Sequence, residues 1–239
     1  MQNLASENAG LPQVQIVKTA PKVAEEKLFS HRKCYLGISI DNPVFYGSSL
    51  EALLLWTAGK FDRSLVIIGD YLRRYNEHIF NGLTGPAAES AALLAGDLFL
   101  QKTSSVLRKF TEPQFQLVRW KDCLQSNEYK SSKAILDKLF TSDEAFRASV
   151  QKDALSFIKR QKKRNQPLKA SSEESIEISS MYLLEEIAVF SALSEQGWNV
   201  ELYPGPELRV LVEIANGNYA DVPDGLKKRI NVELSIGKT

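Results

Sequence analysis

The apolar positions of this chain fall into short blocks that alternate with longer amphipathic stretches. Cys34-Tyr-Leu-Gly-Ile-Ser-Ile40 is a short, mostly apolar run ending at Asp41-Asn42-Pro43, the pattern of a strand buried on both faces. Ser64-Leu-Val-Ile-Ile-Gly-Asp70 repeats that pattern. Between them Ser48 or Ser49 is placed to cap a helix running through Lys60, with Leu50, Leu53, Leu54 and Trp56 on its apolar side. Further along, the pattern predicts a long helix from about Pro86 to Lys109 and a third strand over Phe115–Trp120. Two helices follow over Asn127–Phe140 and Asp143–Arg164, and another over Ser179–Gln196 that Gly197 stops. A strand over Trp198–Tyr203, a helix over Pro206–Asn216 and a strand over Arg229–Ile236 complete the chain.

Strands alternating with helices predict an α/β fold: a Rossmann-like, doubly wound, mostly parallel sheet covered on both faces. Residues 1–28 hold no long apolar run and read as a flexible polar arm, leaving residues 29–239 as a single domain. No stretch approaches the roughly 18 apolar residues needed to span a bilayer. A membrane is therefore not an expected partner, and the expected location is the cytoplasm.

Composition narrows the chemistry. Two cysteines in 239 residues exclude a disulfide scaffold and suit a reducing compartment. A structural zinc would consume nearly every cysteine and histidine present, so no metal is expected. Only His31 and His78 are available to a serine triad. A net charge of +1 gives no global reason to expect nucleic acid, DNA included. Charge is clustered locally, however. Lys159-Arg-Gln-Lys-Lys-Arg-Asn-Gln-Pro-Leu-Lys169 carries six basic residues and no acidic one, and Glu173, Glu174 and Glu177 restore the balance beyond it. Such a run is either a solvated helix end or a contact for a phosphate backbone.

Ligands of an open parallel sheet bind beyond the carboxyl ends of its strands. That rule selects Ser39, Asp41 and Asn42, then Asp70, then Tyr203; the bland alternative is that polar residues merely terminate strands. No Gly-x-Gly-x-x-Gly, Walker A loop or Gly-x-Ser-x-Gly elbow decides between them. Tyr182 and Glu186 stand four apart, on one helical face, where a phenol and a carboxylate suit amine recognition and proton transfer. A surface Tyr–Glu pair is the competing reading, and Glu185 is the neighbouring decoy.

Together these features resemble the cyclodipeptide synthases, which make a cyclic dipeptide from two aminoacyl-tRNAs. The family's Gly-apolar-Ser strand end is matched by Leu36-Gly37-Ile38-Ser39, with Asn42 and Trp56 at the family's spacing. Its Tyr-x-x-x-Glu-x-Pro-apolar-Phe signature is met by Tyr182, Glu186, Val189 and Phe190, and Tyr203 matches a further family tyrosine. The likeness extends over roughly residues 30–236. Lys33 stands where a histidine is frequent, and Ala188 replaces the proline of the second signature. Pro204 after Tyr203 marks the Tyr-Pro branch, here retaining Asn42.

The resemblance implies a fold like the catalytic domain of class I tyrosyl- and tryptophanyl-tRNA synthetases, used without ATP. No His-x-Gly-His signature is present, and Lys130-Ser-Ser-Lys133 sits in a predicted helix, so its likeness to the synthetase Lys-x-Ser-Lys loop is a coincidence. It implies Ser39 as nucleophile, Tyr182 and Glu186 on the amino group, Glu186 moving protons, Tyr203 orienting Ser39, and Asn42 with amides near Gly37 stabilising developing charge. It also implies a first side-chain pocket lined by Tyr35, Ile67 and Val189 beside Gly37, and a monomer. Lys159, Arg160, Lys162, Lys163 and Arg164, or the Lys102, Arg108 and Lys109 side of the long helix, would contact tRNA. The alternatives are a non-catalytic tRNA-binding protein and a serine esterase.

Overall fold

The computed structural model describes residues 10–163 and 167–237. Its centre is a six-stranded sheet. In chain order the strands are β1 (Val14–Ala20), β2 (Lys33–Ile38), β3 (Arg63–Ile68), β4 (Phe115–Arg119), β5 (Val200–Tyr203) and β6 (Ile230–Ile236). They lie side by side as β1-β6-β5-β2-β3-β4, all parallel except β1, which runs antiparallel to β6.

Period-2 alternation divides the inner strands between two cores. Tyr35, Leu65 and Ile67 face one side, packed with residues of α8 (Ser172–Glu195) such as Ile187, Val189 and Phe190. Leu36, Ile38, Val66 and Ile68 face the other, against α2 (Gly47–Ala58) and Phe99 of α4 (Gly85–Leu107). Helices α6 (Asn127–Ser142) and α7 (Glu144–Lys163) pack on α8, making it the central helix of its layer. The short helices are α1 (Glu25–Ser30), α3 (Arg74–Asn81), α5 (Trp120–Cys123), α9 (Arg209–Ala215) and α10 (Asp224–Lys228). None of the helices described is long and apolar enough to cross a membrane.

Three expectations are corrected. The polar arm expected through residue 28 contains β1 and the first turn of α1. β1 buries little beyond Val14, so apolar pattern gave no sign of it; its place comes from backbone pairing with β6, and Leu28 anchors α1 in the core. α8 begins at Ser172, seven residues before the expected Ser179, because the Ser171 hydroxyl accepts from the Glu174 N–H at 3.1 Å and Glu173 and Glu174 suit the positive helix end. α2 starts at Gly47 with no side-chain cap, so neither Ser48 nor Ser49 caps it. α3 lacked a signal of its own; Gly82, at φ 68°, closes its end, its N–H donating to the His78 carbonyl and the Leu83 N–H to the Glu77 carbonyl.

Candidate active site

From β2 the chain steps outward through β3 to β4, then returns through α6, α7 and α8 to lay β5 against the opposite edge of β2. That reversal leaves a crevice beyond the carboxyl ends of β2 and β5. Ser39 follows β2, and Tyr203 ends β5.

Ser39 is half-buried, and its carbonyl accepts from the Asn42 N–H at 2.9 Å. This tight turn brings Asn42 back over the strand end. The Asn42 carbonyl oxygen of the side chain accepts from the Val44 N–H at 3.2 Å, capping the 3-10 turn Pro43–Phe45. The Asn42 side chain lies close enough to the Tyr203 hydroxyl to lower its pKa. Tyr203 packs on Phe45, ring centroids 6.0 Å apart. A Cβ on Gly205 would come within 2.9 Å of the Tyr203 ring, so the following loop passes flat against the tyrosine only as glycine. A Cβ on Gly37 would meet nothing within 4 Å, which leaves open space above β2 on the α8 side.

Tyr182 and Glu186 present one turn of α8 to this crevice, where burial dominates their electrostatics. Glu186 is raised to about 8 by desolvation, then by the carboxylates of Glu201 and Glu207, with Arg229 opposing. Tyr182 is pushed well above the usual phenol range by burial, then by the charges of Glu186, Tyr203 and Asp41. Tyr203 is raised by burial and by Glu186, against the opposing effect of the nearby Asn42 side chain. The two phenols are therefore neutral donors at ordinary pH. Tyr182, Glu186, Tyr203 and Asn42 are brought together, and the turn at Asn42 ties them to Ser39.

Tyr35 lies fully buried, and its hydroxyl donates to Glu201 Oε2 at 3.0 Å. Arg229 Nε donates to the same carboxylate oxygen at 2.6 Å and to the Tyr35 hydroxyl at 3.3 Å, while its other arm pairs with Glu207 at 2.8 Å. Tyr35 also packs on Phe190 at 5.8 Å, in one cluster with Ile67 and Val189. Sequence reasoning missed Glu201, Glu207 and Arg229. The available signal was Glu201 itself, a charge between Val200 and Leu202 in a buried strand.

The exposed residues Lys159, Arg160, Lys162 and Lys163 form the last turns of α7, and none has an acidic partner among the described residues. Arg160 is near enough for its charge to act on the Tyr203 phenol, so this basic end flanks the crevice. Arg164 lies outside the described residues. On α4 and just past its end, Lys102 and Arg108 are exposed, and Lys109 pairs with Glu51 at 2.5 Å. His78 does find a carboxylate, Glu174 at 3.4 Å, yet no serine hydroxyl bonds either histidine among the described residues. Lys130-Ser-Ser-Lys133 lies inside α6, with Ser132 buried against the Ser191 hydroxyl at 2.9 Å.

The family model for cyclodipeptide synthase matches residues 19–195. No curated protein matches the chain. Among solved structures, a cyclodipeptide synthase from Fluoribacter dumoffii superposes with a TM-score of 0.81 at 22% identity, covering 96% of this chain and 99% of that one. A Mycobacterium tuberculosis protein, whose structure relates cyclodipeptide synthetases to type I tRNA synthetases, gives 0.71 at 14% identity over 93% and 92%. A cyclodipeptide synthase from Candidatus Glomeribacter gigasporarum bound to Phe-tRNAPhe gives 0.60 at 15% identity over 87% and 88%.

Proposed function

Because this chain belongs to the cyclodipeptide synthase family, we propose that it joins two aminoacyl-tRNAs into a diketopiperazine by ping-pong transfer through an aminoacyl-Ser39 ester. The observation that carries the reading is the convergence of Tyr182, Glu186, Tyr203 and Asn42 beside Ser39 at the crevice between β2 and β5. The Tyr203-Pro204 pair fits the family's Tyr-Pro branch, from which the retained Asn42 is a departure.

An aminoacyl-tRNA is already an activated ester. Moving its acyl group to a serine exchanges one ester for another, a step that needs positioning more than a strong base. This explains how a serine enzyme works with only two histidines. Ser39 Oγ attacks the first aminoacyl carbonyl, and the tRNA 3′-oxygen leaves with the serine proton. Tyr203 orients Ser39, and Asn42 with amides near Gly37 stabilises the developing oxyanion. Tyr182 and Glu186 hold the amino group of the loaded residue. After losing a proton to Glu186, that amine attacks the second aminoacyl carbonyl; the ester to the second tRNA breaks, its 3′-oxygen leaves with a proton returned by Glu186, and a dipeptidyl-Ser39 ester remains. The remaining free amine then attacks the Ser39 ester carbonyl, which closes the ring and returns the proton to Ser39. No cofactor is required.

The first side chain occupies the space above Gly37, bounded by Tyr35, Ile67 and Val189. The basic end of α7, Lys159, Arg160, Lys162 and Lys163, contacts tRNA phosphates at the crevice mouth, and Arg164 extends this basic run in the sequence. The protein acts as a cytoplasmic monomer.

The test is incubation with charged total tRNA, followed by mass spectrometry for diketopiperazines and for an aminoacyl adduct on Ser39. Cyclic product and adduct are expected, both lost in Ser39→Ala. Free amino acid without cyclic product identifies an esterase, and tRNA binding without turnover identifies a non-catalytic binder. Full cyclisation by Ser39→Ala overturns the nucleophile.

A further inference from the structure

Glu185 neighbours Glu186 in sequence but projects from another side of α8, and it is only 3% exposed. Its carboxylate collects four donors. Trp120 Nε1 and Arg74 Nη1 donate to Oε1, each at 3.0 Å. Arg74 Nη2 and the Tyr75 hydroxyl donate to Oε2, at 2.5 and 3.0 Å. These donors come from the start of α3, after β3, and from the start of α5, after β4. One carboxylate thus binds the connections beyond two strands to the helix that carries Tyr182.

The clamp continues through stacking. The Arg74 guanidinium lies over the rings of Tyr71 and Tyr75, at 4.2 and 4.3 Å. Tyr75 in turn meets Tyr182 edge to face, with centroids 6.1 Å apart and planes at 68°. Charge-assisted hydrogen bonds fix the Tyr75 ring, and that ring is a wall against which the Tyr182 phenol rests.

We infer that Glu185 is a positioning residue for amine recognition, acting through Tyr75 to hold the Tyr182 phenol where it meets the amino group of the first aminoacyl substrate. The inference rests on the function proposed above. It separates two adjacent carboxylates by role: Glu186 faces substrate, and Glu185 aims the tyrosine that faces substrate.

A purely structural clamp would lower stability without touching selectivity, so the deciding readout is selectivity. Ser39 loading is measured by mass spectrometry with an aminoacyl-tRNA and with its N-acetylated form, which lacks the cationic amine. The native protein is expected to prefer the free amine. Glu185→Gln keeps the shape and loses the charge; it should lose roughly tenfold of that preference, as for one charge-assisted contact. Loading from the N-acetylated donor should stay unchanged. Tyr75→Phe, which keeps the ring and frees it from Glu185, should lose part of the preference. Tyr75→Leu, which removes the wall, should lose more. The two Tyr75 variants leave the Glu185 bonds to Arg74 and Trp120 in place, losing besides the Tyr75–Glu185 bond only the Arg74 bond to the Tyr75 hydroxyl at 3.1 Å, and decide the matter if Glu185→Gln does not fold. Native preference in all folded variants, while Tyr182→Phe loses it, overturns the inference and leaves the proposed function standing. If Tyr182→Phe itself keeps the preference, the assignment of Tyr182 to the amine fails, and the inference fails with it.

Discussion

At the scale of single residues the most consequential property is the protonation of Glu186. Its carboxyl titrates near 8 because burial, then Glu201 and Glu207, disfavour the anion. At neutral pH the unliganded side chain is mostly protonated, and an incoming ammonium favours the carboxylate that must later accept a proton. A carboxyl with a raised folded-state pKa contributes stability that is fully present below its unfolded value near 4.5 and is lost as pH rises through about 8. Glu186→Gln should therefore raise the melting temperature, with a gain that grows between pH 5 and 8 and then levels, as calorimetry across pH would record. For kcat/KM, the native protein is expected to show a rise toward pH 8, and the same variant should abolish it. The two thiols are unlike this carboxyl: burial pushes Cys34 and Cys123 up to about 12, which keeps both protonated and inert.

At the scale of elements, α7 and α8 divide the labour. α8 is buried along most of its length, so its polar face is confined to the few residues that line the crevice or bind other segments. α7 ends in cations that no acidic side chain neutralises among the described residues, beside the Tyr203 end of β5. Replacing Lys159, Arg160, Lys162 and Lys163 by glutamine should weaken tRNA use and flatten its salt dependence. The slope of log affinity against log salt should fall by about 0.7–0.9 for each phosphate that the variant no longer neutralises. A slope equal to that of the native protein places the tRNA on α4 instead. The run was visible in the sequence as a charge block; that it flanks the crevice was not, because the position of a helix end depends on what the helix packs against.

At the scale of the whole molecule, the sheet terminates in β1, whose six register pairs cover the outer edge of β6. Removing residues 1–20 uncovers that edge and leaves its backbone groups available to other chains. A loss of roughly 2 kcal/mol corresponds to a melting temperature lower by about 4–8 °C in a chain of this size. Differential scanning calorimetry should find that drop, with concentration-dependent aggregation above the transition. An arm without structural role would give neither. The strands β2 and β3 were legible because burial on both faces demands unbroken apolar runs; β1 was not, because an edge strand held by backbone pairing needs no such run.

The sequence by itself determined what local periodicity can encode: the apolar runs of β2 and β3, the helical spacing of Tyr182 and Glu186, and the short signatures around Ser39 and Tyr203. Tertiary structure alone decided which strand edges meet. It set β5 beside β2 and so brought Tyr203 to Asn42, and it joined Tyr35 to Glu201 across 166 positions of chain. It also gave adjacent glutamates opposite surroundings, Glu185 among four donors and Glu186 among like charges. The reason is physical. A residue's periodic position is set by its neighbours in sequence, whereas its partners and its charge state are set by whatever long-range packing places around it.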